Sequence, residues 1–151
     1  MDRISIWISA LLIFGFANAK AQVWQPLEKG LANSPLALTS DRNNLYAAYA
    51  IELDGKGGRI FGISVWNGSF WRDLPQFTAD SLSTITSLKI YKNQLYIGGK
   101  FSSIKGLKNA KNIFRWSGNE YQSITPNEVI QPAYFGLVTD LELFNGKLII
   151  S

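Results

Sequence analysis

The sequence contains no cysteine and no histidine. Without thiols there is no disulfide framework and no thiolate metal site, and without imidazole the Ser-His-Asp and Cys-His arrangements of nucleophilic catalysis cannot be assembled. Charge is also sparse: Asp, Glu, Lys and Arg make up 17% of residues and leave a net charge of +4. That is too weakly basic to argue for a nucleic acid or a membrane surface as partner. Beyond the first twenty residues, long runs free of Gly, Pro, Asn and Asp are missing, which favours short strands separated by turns over long helices. What is abundant is apolar and aromatic, 46% and 13% of the 151 residues, enough for a packed core. Such a chain must hold together by burial and strand pairing alone, since no covalent staple can form.

Residues 1–21 read as a cleavable signal peptide. Arg3 supplies the positive start and Ile4–Phe16 an apolar core shorter than the about 20 residues a membrane span needs. Ala17, Ala19 and Ala21 then offer A-x-A cleavage sites, so the mature chain is expected to begin at Gln22 or, second, at Lys20. No Cys follows the core, which excludes a lipid anchor on such a thiol. The expected address is therefore secreted or cell-surface.

Residues 22–151 repeat themselves. Leu45-Tyr46 recurs as Leu95-Tyr96, Trp66-Asn67-Gly68 as Trp116-Ser117-Gly118, Leu38 as Leu88 and Trp71 as Tyr121, all displaced by 50. A third copy opens at Leu141, where Asn145-Gly146 and Leu148-Ile149 lie 53 residues after their counterparts. One period is expected to hold four strands, over 36–39, 45–51, 60–66 and 70–74, and the second copy repeats them over 85–91, 94–101, 113–116 and 120–124. Asn67-Gly68, Ser117-Gly118 and Asn145-Gly146 supply residues that tolerate positive φ, as tight hairpin turns require. The common displacement predicts that Trp66 and Trp116, and likewise Tyr46 and Tyr96, occupy equivalent buried positions.

Four antiparallel strands at a period near fifty form the blade of a β-propeller. The fold expected is all-β, a partial propeller of about two and a half four-stranded antiparallel blades. Gly98-Gly99 after Leu95-Tyr96-Ile97, followed by Trp116, resembles the kelch repeat, in which a diglycine lets strands approach closely. The wider pattern, LYIGGKF then NIFRWSG then an aromatic, is similar to repeats of large exported or cell-surface bacterial proteins. In the first copy Ala47-Ala48 stands in for the glycine pair and a longer loop precedes Gly58-Arg59-Ile60-Phe61. A β-sandwich or β-solenoid is the alternative architecture. Because a propeller closes with roughly 4 to 8 blades, and Gly146–Ser151 is an apolar strand with no polar tail, a segment of a longer repeat protein is expected. Its uncovered faces, at Val23–Leu27 and Val138–Ser151, should expose apolar residues and self-associate.

Little catalytic chemistry is legible. Lys100, Lys105, Lys108, Lys111 and Arg115 fall in a window without acids, a candidate loop for acidic glycans or other polyanions, or simply a solvated face. Glu52, Asp54, Gly55, Gly57 and Gly58 lack the spacing of a calcium loop. Asp73, Asp140 and Glu142 are acids without the pairing that glycoside hydrolysis needs. Ser40-Asp41-Arg42-Asn43 does not continue into a sialidase box, and the copper chemistry of some kelch proteins needs His and Cys. Trp24, Trp66, Trp71 and Trp116 could form a sugar platform but fit an inter-blade core better. No cofactor and no metal is implied. The expected function is non-catalytic binding of protein or glycan, adhesion or scaffolding. The alternative is part of a glycan-directed extracellular enzyme whose catalytic residues lie in other blades.

Overall fold

The computed structural model describes residues 27, 29–53, 58–108, 110–124 and 136–151. The signal segment 1–21, Trp24 and the loop residues Asp54, Gly55 and Gly57 lie outside them. Every element among the described residues is a strand. In chain order these are β1 (Ala37–Ser40), β2 (Leu45–Glu52), β3 (Gly58–Trp66), β4 (Trp71–Asp73), β5 (Phe77–Asp80), β6 (Thr84–Tyr91), β7 (Gln94–Lys100), β8 (Ile113–Trp116), β9 (Tyr121–Ser123), β10 (Leu141–Phe144) and β11 (Lys147–Ile150). They form three antiparallel sheets: β1-β2-β3-β4 with β5 also on β3, then β6-β7-β8-β9, then the hairpin β10-β11.

The repeat is visible in the pairing itself. Leu38 opposes Ala47 as Leu88 opposes Ile97, and Leu45 opposes Trp66 as Leu95 opposes Trp116. Trp66 opposes Trp71 as Trp116 opposes Tyr121. The third copy keeps the register at its displacement of 53, with Leu141 opposite Ile150 and Leu143 opposite Leu148. The turns follow suit. Lys92-Asn93 and Asn145-Gly146 both place two residues at positive φ, the backbone of a two-residue hairpin whose twist matches its strands. Asn67 Oδ1 accepts from Phe70 N, and Ser117 Oγ from Glu120 N, at the same point of the two sheets.

Because side chains alternate across a strand, each sheet presents one face backward and one forward. Ala48, Phe61, Ile63 and Val65 of the first sheet meet Leu88, Leu95, Ile97 and Phe114 of the second. The opposite face of the second sheet, with Tyr96 and Ile113, meets Leu141, Leu148 and Ile150 of the hairpin. The first core centres on Phe61, Phe77, Phe101 and Phe114, with ring centroids 5.1–6.2 Å apart; each such pair adds about 0.5–1.5 kcal/mol beyond its burial. The sheets approach most closely at their first strands, β1 against β6 and β6 against β10. Along β6 the hairpin is fastened by Ser87 Oγ to Asp140 Oδ1 (3.0 Å), Lys89 Nζ to Glu142 Oε1 (2.8 Å) and Tyr91 Oη to the Gly146 carbonyl (3.3 Å).

Several expectations need correction. The register places Ala48 opposite Ala37 as Gly98 lies opposite Ser87, so the counterpart of Gly98-Gly99 is Ala48-Tyr49, not Ala47-Ala48. A Cβ on Gly98 would come 2.7 Å from Val138 Cγ1, and one on Gly99 would strike the Thr84 carbonyl. In the first sheet the glycine has changed strands: Tyr49 stands at the place of Gly99, and its ring lies over Gly62. Trp66 and Trp116 are equivalent but both half-buried, since each ends its strand beside a turn. Tyr96 is buried whereas Tyr46 is half-buried. The strand β5 went unread. It has no counterpart among the described residues of the second copy and doubles onto the first half of β3.

Candidate functional site

The cationic window does not form one surface. Lys100 ends β7 and shares a shallow depression with Lys111, while Lys105 lines other hollows with Thr78 and Ile104. The loop from 101 to 112 is a clasp onto the first sheet. Ile104 bridges Ala79, Lys105 N donates to the Thr78 carbonyl (3.0 Å), and Ser102 Oγ donates to Asp80. Lys108 is exposed, its carbonyl accepting from Ser123 Oγ. Arg115 is not on the loop; it lies within β8, with Nε donating to Gln122 Oε1 (3.3 Å).

The acids are already engaged. Asp73 accepts from Ser64 Oγ (2.6 Å), Asp140 from Ser87 Oγ, Glu142 pairs with Lys89, and Glu52 with Arg59 (2.8 Å). No group of three or more potential metal ligands occurs among the described residues, and no helix among them is long and apolar enough to cross a membrane.

A larger concavity, about 580 Å³, opens between the first two sheets at their turn end. One wall is a register row of the first sheet, Tyr46 and Arg72 flanking Val65. The other is the facing row of the second, Ile90, Leu95 and Trp116. Asp41, Arg42 and Asn43 from the β1-β2 turn, Asn93 from the β6-β7 turn and Gly118 from the β8-β9 turn form the rim. Asp41 organises that rim, accepting from Asn43 N (2.8 Å), Asn44 N (2.7 Å), Asn44 Nδ2 and Tyr46 Oη (3.0 Å). Partial burial pushes its carboxyl upward, but these hydrogen bonds outweigh that and hold it below the ordinary 3.8. Tyr46, partly buried and donating to Asp41, is pushed up to about 12. Sequence reading missed this cleft because four separate segments contribute to it. The one legible signal was alternation: Arg72 follows Trp71 and so points to the opposite face of its strand.

These features define an all-β protein of repeated antiparallel sheets stacked face to face, with a mixed polar and aromatic cleft between the first two. No family model, curated protein or solved structure matches the chain.

Proposed function

We propose that this chain is a segment of an exported β-propeller repeat protein, kelch-like in its repeat, that works by binding protein or glycan rather than by catalysis. The observation that carries the reading is the pair-for-pair recurrence of strand register through three successive sheets, joined at their first strands. Repeated sheets, each stacked face to face on the next, are the packing that successive blades of a propeller use. Against catalysis stands the engagement of Asp73, Asp140 and Glu142 in structural hydrogen bonds and ion pairs.

Two outer faces are uncovered among the described residues. Leu38 is 55% exposed whereas its counterpart Leu88 is 3% exposed, and Ile149 is 38% exposed whereas its counterpart Tyr96 is 3% exposed. Further sheets, or another copy, would cover these faces. The expected result is that the chain self-associates in sedimentation velocity at micromolar concentration, and that Leu38→Lys combined with Ile149→Lys makes it monomeric. A wild-type chain that stays monomeric and unfolds cooperatively well above room temperature would overturn the open-propeller reading in favour of a closed sandwich.

A further inference from the structure

We propose that the cleft between the first two sheets binds a sugar carrying a carboxylate, an acidic residue of a glycan. This deepens the binding reading above by naming a ligand class, and it rests on that reading only for its biological context. The cleft's volume, about 580 Å³, lies in the range of small-molecule sites. Its two walls differ in chemistry as a sugar's two aspects do. Ile90 and Trp116, both half-buried and backed by the buried Leu95, offer the apolar surface against which C–H faces of a pyranose pack, and Asn43 and Asn93 offer amides to its hydroxyls.

The charge is supplied by Arg42 and Arg72. Both are exposed, and among the described residues neither makes a hydrogen bond or an ion pair. The one acid in the lining, Asp41, spends both carboxylate oxygens on Asn43, Asn44 and Tyr46. Two guanidinium groups thus face a cleft whose carboxylate is already occupied. A guanidinium presents a planar fork that a carboxylate matches with two parallel hydrogen bonds. The cationic loop is a separate feature, since Lys100 lies at the far end of β7 from the Asn93 turn.

The test is titration calorimetry of the chain with trigalacturonate, its fully methyl-esterified form, and acetate. Saturable binding of trigalacturonate is expected, about tenfold or more weaker for the ester and for each of Arg42→Gln and Arg72→Gln. Lys105→Gln with Lys108→Gln should leave it unchanged. Both arginines are exposed, so circular dichroism of the variants should match the wild type. The proposal is overturned if no saturable binding occurs, if the ester binds equally, if the arginine variants bind normally, or if loss follows the lysines. Arginine-dependent binding of acetate as tight as that of the trimer would reduce the cleft to a free-anion contact and overturn the sugar. The propeller reading is judged by sedimentation, so either can fail alone.

Discussion

At the scale of single residues, glycine and aspartate set the tightest conditions. Gly98 is where Val138, just before the hairpin, and Leu141 within it reach the second sheet, and Gly99 is where β7 passes the Thr84 carbonyl. A methyl group at Gly98 meets only side chains, those of the buried Val138 and Leu141, whereas one at Gly99 meets backbone. Gly99→Ala should therefore cost about 1–3 kcal/mol and Gly98→Ala less, as read from urea denaturation of each. The carboxylates carry the pH dependence. Asp41 is held below the ordinary aspartate value against the pull of burial, Asp80 is lowered chiefly by Ser102, and Glu142 chiefly by Lys89. A carboxyl with a depressed folded pKa contributes stability that is present above its unfolded value and is lost as pH falls through the folded one. The melting temperature should be level above about pH 5 and decline below about pH 4. Asp41→Asn should make that acid decline shallower when the two melting curves are compared.

At the scale of elements, the repeat provides internal controls. Leu38 and Leu88 hold the same register position in β1 and β6, yet among the described residues only Leu88 has a sheet packed against it. Leu88→Ala should cost about 2–5 kcal/mol, whereas at protein concentrations low enough to keep the chain monomeric Leu38→Ala should stay within about 0.5 kcal/mol. Equal losses in thermal unfolding would mean that the outer face of the first sheet is covered in solution. The chain segment before β1 covers part of that face: Leu36 N donates to the Ala48 carbonyl (2.7 Å), and Trp71 Nε1 donates to the Leu27 carbonyl (3.3 Å). On that face Ala47 and Tyr49 are buried and Leu38 is not. Of the two stretches expected to be apolar and open, Val138–Ser151 divides by face: Leu141, Leu148 and Ile150 are buried against the second sheet, and Phe144 and Ile149 point away. Leu27 is exposed, and residues 23–26 lie outside the described residues.

At the scale of the whole molecule, the two faces left uncovered among the described residues are of different kinds, so the association proposed through them would be head-to-tail and would continue until a ring closed or a partner stopped it. Because such contacts favour the folded state by mass action, the apparent melting temperature should rise with protein concentration. The double variant Leu38→Lys with Ile149→Lys should abolish that rise in differential scanning calorimetry at two or more concentrations. The row Leu45, Trp66 and Trp71 on the outer face corresponds to Leu95, Trp116 and Tyr121 at the inner interface. A sheet laid over the first one would therefore enclose a second cleft with an aromatic wall.

Local chemistry by itself determined the strand order, the meander and the repeat. Turn residues that tolerate positive φ and an alternating aromatic pattern act within a few residues of chain, so Trp66-Asn67-Gly68 and Trp116-Ser117-Gly118 could be read as the same corner without coordinates. Even there the match was read only to one residue: the displacement of 50 carries Gly98-Gly99 onto Ala48-Tyr49, and the pairing of Ala48 with Ala37 agrees. Tertiary structure alone decided which face of each strand is covered, that β5 doubles onto β3, that Arg115 belongs to a sheet and not to a cationic loop, and that Arg42, Arg72 and Trp116 share a cleft. Those outcomes depend on which sheet lies against which, a relation between residues far apart in the chain. Burial and electrostatic fields act through space, so no local pattern encodes them until the sheets have stacked.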